Sequence, residues 1–247
     1  MTNCKLAIHD LLSRTLLTMH IEVVDFVAGA QSARGIAVVI DVFRAFSVAA
    51  YAFARGAALN IPVAEVATAR QLKRENPNAI LLGERYAKPL PGFDCGNSPT
   101  ELEQLDVRGR TLIHTTHSGT QGLASATNAD EVITGALVNC GAVVRYLKSL
   151  RPKRVTLVRM GQEARERCDE DDLCAELIAA RLHGGELDTS SIRERLRGAK
   201  SAQKFFDPAC DWAPERDFEL CTEVDIHNFV LRLDRGESPA MLRRVDV

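Results

Sequence analysis

The chain has 247 residues, of which 46% are apolar and 26% charged, and its formal net charge is -2. That make-up fits a globular protein with a sizeable core, in one large or two small domains. It excludes a long basic run that could hold nucleic acid, and no apolar stretch approaches the roughly 20 residues of a membrane-spanning helix.

In chain order, residues 1–20 are expected to form a partly helical leader. No signal peptide is expected there, because His9, Asp10, Ser13 and Arg14 break the apolar residues of 6–19. The β-branched runs IEVVDFV (21–27) and IAVVIDVF (36–43) read as strands joined by a polar loop, AGAQSARG. SVAAYAFARGA (47–57) is Ala-rich and stops at Gly56, as a helix with a glycine end does. LNIPVA (59–64) returns to strand, EVATARQLKREN (65–76) is a polar-faced helix ended by Pro77, and AILLGE (79–84) is an apolar strand. RTLIHTT (110–116), EVITGAL (131–137) and RVTLVRM (154–160) are further strands, separated by helices over 118–127 and 139–150. EDDLCAELIAARLHGG (170–185) is a helix with acids in its first turn and glycines after its last, a polarity that suits the helix dipole. From about 186 the chain is charged; helical pieces and an edge strand are expected there, and MLRRV reads as a solvated end. Strand and helix alternate over short connections, so the fold class is α/β. The expectation is a single layered α/β/α domain over 1–247 with a mostly parallel sheet, any subdomain boundary falling near 130–150.

Seven cysteines (Cys4, Cys95, Cys140, Cys168, Cys174, Cys210 and Cys221) are an odd number without a CxxC pair. Neither a zinc ribbon nor a disulfide scaffold is indicated, and a reducing cytoplasm is the simplest location.

In an open parallel sheet, ligands bind beyond the carboxyl ends of the strands. Strand 36–43 carries Asp41 and leads to Arg44 and Ser47; strand 79–84 ends in Glu84 and Arg85; strand 110–116 ends in Thr115 and Thr116; strand 154–160 carries Arg159. If these strands are parallel, the four clusters face one edge. A carboxylate after IAVVI needs a donor or a cation, so Asp41 is either functional or tied to Arg44 or a helix start. Arg44 has the planar fork suited to carboxylate or phosphate. TTHSGTQG (115–122) offers Ser118, Gly119 and Thr120 at a helix start, an arrangement that suits an anion, with His117 as a further acid/base candidate. DEDDL (169–173) is either a solvated helix start or a hard-cation site. A cysteine phosphatase loop, paired aspartates after a buried strand, a Walker loop and a GxGxxG loop are all absent from the sequence.

Four segments, VVIDVFRAFSVAAYAFARGA, LLGERYAKPLPGFDCGNSPTEL, LIHTTHSGTQGL and EDDLCAELI, resemble the 2-phosphosulfolactate phosphatase family in that order. The likeness runs from about residue 21 into the tail, and GFDxGNSP together with DVxRA is its most specific part. It implies a Mg²⁺-dependent phosphoric monoester hydrolase that converts 2-phosphosulfolactate to sulfolactate and phosphate, a step towards coenzyme M, with a homodimer as the expected assembly. Carried over by position, Asp41, Arg44, Glu84, Arg85, Asp94, Asn97, Ser98, Gly119, Thr120 and Asp171 fall on motif positions. The expected catalytic set is Asp41, Arg44, Glu84 and Arg85, and the expected metal ligands are drawn from Asp41, Glu84 and Asp171. Arg44 and the Ser118–Thr120 turn would hold phosphoryl oxygens, and Arg85 or Arg159 would pair with the substrate's carboxylate or sulfonate. Ser47, Asn97, Ser98 and Thr116 complete the candidate substrate-binding set. The nucleophile is a metal-activated water or, as the alternative, Asp41 itself. Within GFDCGNSP, Asp94 and Asn97 are expected mainly to fix the loop, with Ser98 capping the segment after it. The altered turn at His117 leaves a second reading, a repurposed or non-catalytic member that binds another phosphorylated metabolite.

Overall fold

The computed structural model describes residues 19–247. Residues 1–18 of the expected leader, with Cys4, lie outside the described residues. Ten strands form one sheet. At one side lie four parallel neighbours in the order β1 (His20–Asp25), β8 (Arg154–Arg159), β2 (Ile36–Ile40) and β7 (Glu131–Gly135). At the other lie β3 (Leu59–Pro62), β6 (Thr111–Thr115) and β4 (Ile80–Arg85), also parallel, edged by the short antiparallel β5 (Lys88–Pro89). An antiparallel hairpin, β9 (Phe229–Asp234) and β10 (Met241–Asp246), joins the blocks. Five of the nine neighbouring pairs are parallel, so the α/β class and the mostly parallel sheet are as expected.

Three readings of the chain change. AGAQSARG is largely helical, within α1 (Phe26–Ser32), because β1 and β2 both run parallel to β8 and parallel strands need a crossover. Among the described residues the tail supplies central strands and no edge strand, and the edges are β1 and β5. MLRRV is β10, paired with β9 along its length and with β3 at Leu242.

The three antiparallel steps also mean that the β3–β6–β4 block runs opposite to the β1–β8–β2–β7 block. Strand twist reconciles this with a common site. At about 20–25° per step, the five steps from β2 to β6 turn the strand direction by roughly 100–125°, so the carboxyl ends of the two blocks can approach each other.

The helix α2 (Ala45–Ala54) fills the junction between the blocks. Phe46, Ala49, Ala50 and Phe53, spaced as one helical face, pack into the cluster beneath the first block, and Val48 and Ala52 pack into the cluster beside β4 and β6. Burial on both faces explains its alanine content, since small side chains let two cores close on one helix. The remaining helices are α3 (Val66–Glu75), α4 (Pro99–Leu102), α5 (Gly119–Ser125), α6 (Cys140–Leu150), α7 (Asp169–Leu182), α8 (Ile192–Arg197) and α9 (Glu215–Cys221). Among the described residues no helix is long and apolar enough to cross a membrane.

Candidate active site

The apolar run of β2 stops at Ile40, and Asp41 enters a pocket with only 6% of its surface exposed. Its Oδ1 accepts the Ala45 N–H (3.1 Å) in the first turn of α2, so the carboxylate fixes that helix start and makes no ion pair with Arg44. Asp171, in the first turn of α7, accepts the Val42 N–H at Oδ1 and the Gly161 N–H at Oδ2, both at 2.8 Å. One carboxylate thereby ties the loop after β2 to the loop after β8. Gly161 has φ +63°, and a Cβ there would fall 2.2 Å from the Glu166 carbonyl oxygen, so only glycine fits that loop. Beside Asp171, the buried Glu170 accepts a hydrogen bond from Ser201. From the other block comes Glu84, 7% exposed, whose Oε1 accepts the His117 N–H (2.6 Å) and whose Oε2 accepts the Ala87 N–H (2.7 Å).

All four carboxylates line the same pocket, and among the described residues none has an ion-pair partner. The electrostatic consequence is large. Burial pushes the Asp41 carboxyl from 3.8 up to about 7, opposed by the Ala45 N–H and reinforced by Glu84. Burial, then the Asp41 and Glu170 charges, hold Asp171 well above the usual carboxylate range, and burial raises Glu170.

The pocket also has a cationic side. Arg44 is buried and donates to Asp217, to the Trp212 carbonyl oxygen and, from Nη2, to the Ala87 carbonyl oxygen (3.2 Å). Asp217 in turn accepts from the Ser98 hydroxyl (2.8 Å) and the Thr100 N–H (3.0 Å), which locks the tail against the loop after β4. Lys204, from the 3₁₀ turn Lys200–Phe205, lines the pocket with Trp212. Tyr86 stands at the mouth, edge-on to the His117 ring at 4.8 Å.

Of the residues expected from sequence, Asp41, Arg44, Glu84, Asn97, Ser118 and Asp171 line the pocket. The Asn97 Oδ1 pairs with His114 Nε2 (3.2 Å), and Ser118 Oγ accepts the Ala164 N–H (2.9 Å). Gly119 packs on the site from behind; a Cβ there would lie 2.8 Å from both Asp41 Oδ2 and Ala45 Cβ. The others serve the scaffold. At the start of α5 the Thr116 and Thr120 hydroxyls each accept the other residue's backbone N–H, and Ser47 donates to the Val42 carbonyl oxygen. Arg85 turns away to the Glu84 and Ala64 carbonyl oxygens and the Thr115 hydroxyl. Arg159 is held by Asp25 and Asp172, outside the pocket lining.

The stretch GFDCGNSP folds back along β4, with the Asp94 N–H on the Leu81 carbonyl oxygen (2.8 Å) and the Gly83 N–H on that of Cys95 (3.2 Å). Asp94 accepts the Leu81 N–H and pairs with Lys73, and the Ser98 hydroxyl caps α4 by accepting the Glu101 N–H. Sequence reasoning missed Lys204, Trp212 and Asp217, all in the tail, and did not single out Glu170. The only signal was a lysine set among aromatics in QKFFDPACDW.

A hard cation suits this chemistry, because buried carboxylates held in no ion pair are stabilised by one. Among the described residues no three His, Cys, Asp or Glu side chains are gathered as one ligand cluster. Asp41 and Asp171, which line the pocket together, are of the ligand type that Mg²⁺ takes, one or two carboxylates with the shell completed by water and phosphate.

An α/β sheet whose strand-end loops bring unpaired carboxylates and a lysine into one pocket has the architecture of a small-molecule enzyme. The chain belongs to the 2-phosphosulpholactate phosphatase family, which matches residues 24–236. It is 33% identical over 217 residues to a probable 2-phosphosulfolactate phosphatase of Thermotoga petrophila, covering 81% of this chain and 89% of the relative. A protein of the same description from Bacillus subtilis is 30% identical over 208 residues, covering 83% and 90%. One from Clostridium tetani is 32% identical over 210 residues, covering 81% and 89%. The resemblance carried by the motifs is borne out at the level of the family.

Proposed function

We propose that this chain hydrolyses 2-phosphosulfolactate to sulfolactate and inorganic phosphate, and that it depends on Mg²⁺ to do so. Family membership supports the reaction class. The observation that most supports the metal is the set of four pocket carboxylates with no ion-pair partner among the described residues. Asp41 and Asp171 would hold the ion, with Glu170 behind them. When bound, it would polarise the phosphoryl group and activate water for in-line attack.

The chain's own groups do the rest. His114 is kept neutral by burial, which lowers its pKa to about 3. With its proton on Nε2 it donates to Asn97 Oδ1, which leaves the Asn97 amide N–H groups to donate to a phosphoryl oxygen. The Ser118 hydroxyl, whose oxygen already accepts from Ala164, has its own proton to donate in the same way. His117 Nδ1 has no partner among the described residues, and the ring lines the pocket; it is the group that gives the leaving alkoxide oxygen its proton. Glu84 positions His117 by holding its backbone N–H, and the same carboxylate holds Ala87, which sets Tyr86 over the mouth. An aromatic mouth keeps bulk water from the reacting ester.

The test is phosphate release from a panel of small esters, with MgCl₂ or with EDTA. Release from 2-phosphosulfolactate in MgCl₂, abolished by EDTA, is expected. No release from any ester would refute the activity, and undiminished release in EDTA would refute the metal dependence.

A further inference from the structure

Beyond its phosphoryl group, 2-phosphosulfolactate carries a carboxylate and a sulfonate. The two arginines expected to meet them, Arg85 and Arg159, are occupied elsewhere. Arg44 is in the pocket, but Asp217 neutralises it and two carbonyl oxygens share its guanidinium. Lys200 reaches the rim, is 83% exposed and pairs with Glu166.

Lys204 differs from all of these. Among the described residues its ammonium makes no ion pair, and it lines the pocket with no hydrogen-bond partner. Its Nζ lies 5.1 Å from the Phe205 ring centroid and 5.9 Å from that of Phe43. Aromatic faces attract a cation but accept no ordinary hydrogen bond from it, so its donors remain available. The reacting end of the substrate is already provided for. Asn97, His117 and Ser118 come from the loops after β4 and β6 and line the same pocket; on the proposed function Asn97 and Ser118 donate to a phosphoryl oxygen and His117 faces the leaving oxygen. Among the described residues no other cation lining the pocket is free of both an ion pair and a hydrogen bond, so a second anionic group would turn to Lys204.

We propose that Lys204 binds the non-reacting acid group of the substrate, and so makes the pocket select phosphate esters that carry a separate carboxylate or sulfonate. This rests on the phosphatase reading, so the test has an arm that does not need turnover. Trp212 is the only tryptophan in the chain and lines the pocket, so its fluorescence reports occupancy. Sulfolactate and inorganic phosphate are titrated separately into the metal-loaded wild type, Lys204→Met and Lys204→Arg. Losing one charge-assisted contact should weaken sulfolactate binding by about 10- to 100-fold in Lys204→Met, with partial recovery in Lys204→Arg. Inorganic phosphate should be weakened by about tenfold less than sulfolactate. In turnover, the loss should fall on KM more than on kcat, and it should be greater for 2-phosphosulfolactate than for p-nitrophenyl phosphate. 2-Phospholactate, which lacks the sulfonate, separates the two acid groups: an undiminished Lys204→Met penalty assigns the carboxylate, a reduced one the sulfonate. Unchanged sulfolactate binding in both variants, or equal losses for sulfolactate and phosphate, would overturn the proposal. If the wild type releases no phosphate from any ester, the phosphatase reading fails, and the sulfolactate titration still decides the role of Lys204.

Discussion

Replacing Asp41 by Asn should stabilise the protein while stopping the chemistry. In the metal-free protein the Asp41 carboxyl is almost fully buried, and burial moves its pKa from 3.8 to about 7. The favourable contribution of the protonated form is fully present below the unfolded value and is lost as pH rises through about 7, because the native state binds the proton more tightly. Three units correspond to about 4 kcal/mol, so burying Asp41 opposes folding by at most that amount at pH 8, where it is ionised, and by about 2 kcal/mol at pH 5, where the native state must take up a proton. Asparagine keeps an oxygen for the Ala45 N–H and removes the charge that also raises Asp171. Urea unfolding in EDTA should therefore show a gain for Asp41→Asn that grows between pH 5 and pH 8. Mg²⁺ should stabilise the wild type more than the variant, since only the wild type keeps both carboxylates for the ion. A variant no more stable than wild type at pH 8, or an equal gain at both pH values, would refute this account of the buried charge.

Asp217→Ala leaves buried Arg44 without its carboxylate and frees Ser98 and Thr100, so it should cost about 3–5 kcal/mol in urea unfolding; a loss below 1 kcal/mol, by the same measure, would contradict the network. Gly119→Ala puts a methyl 2.8 Å from Asp41 Oδ2 and Ala45 Cβ. It should destabilise by about 1–3 kcal/mol and depress turnover; wild-type behaviour in both would show that the close packing is not needed. His114 has a pKa lowered from 6.5 to about 3 by burial, so its contribution to stability is present above pH 6.5 and is lost as pH falls towards 3. His114→Gln should flatten the stability slope in that window, and an unchanged slope would place the acid sensitivity elsewhere. If His117 protonates the leaving group, His117→Gln should slow 2-phosphosulfolactate far more than p-nitrophenyl phosphate, whose leaving group needs no proton; equal losses would remove that role.

Much of the local structure was legible because hydrophobic period and turn residues are local signals. The strand leading into Asp41, the strand that carries Glu84, the Ala-rich helix closed before Gly56 and the Ser98 cap all come from neighbouring residues. Sequence did not reveal the pairing of distant segments. Arg44 and Asp217 are 173 positions apart, and nothing near Arg44 announces that its charge is already met. The same holds for the tail hairpin, whose strands show period but not the gap between two parallel blocks that they fill. Arg85 and Arg159 sit at strand ends as expected, yet side-chain direction sends them to carbonyl oxygens and to Asp25. Lys204 was hidden for the converse reason: a lysine in a charged tail reads as solvated until the fold brings it beside Asp41 and Glu170.

Phosphate release from 2-phosphosulfolactate by the metal-loaded wild type and Asp41→Asn, run side by side, tests the central claim most directly. The pocket account predicts Mg²⁺-dependent release by the wild type and a loss of about 100-fold or more in the variant, with urea unfolding run in the same MgCl₂ buffer to show that the variant is folded in the assay. Wild-type rates in Asp41→Asn would contradict it.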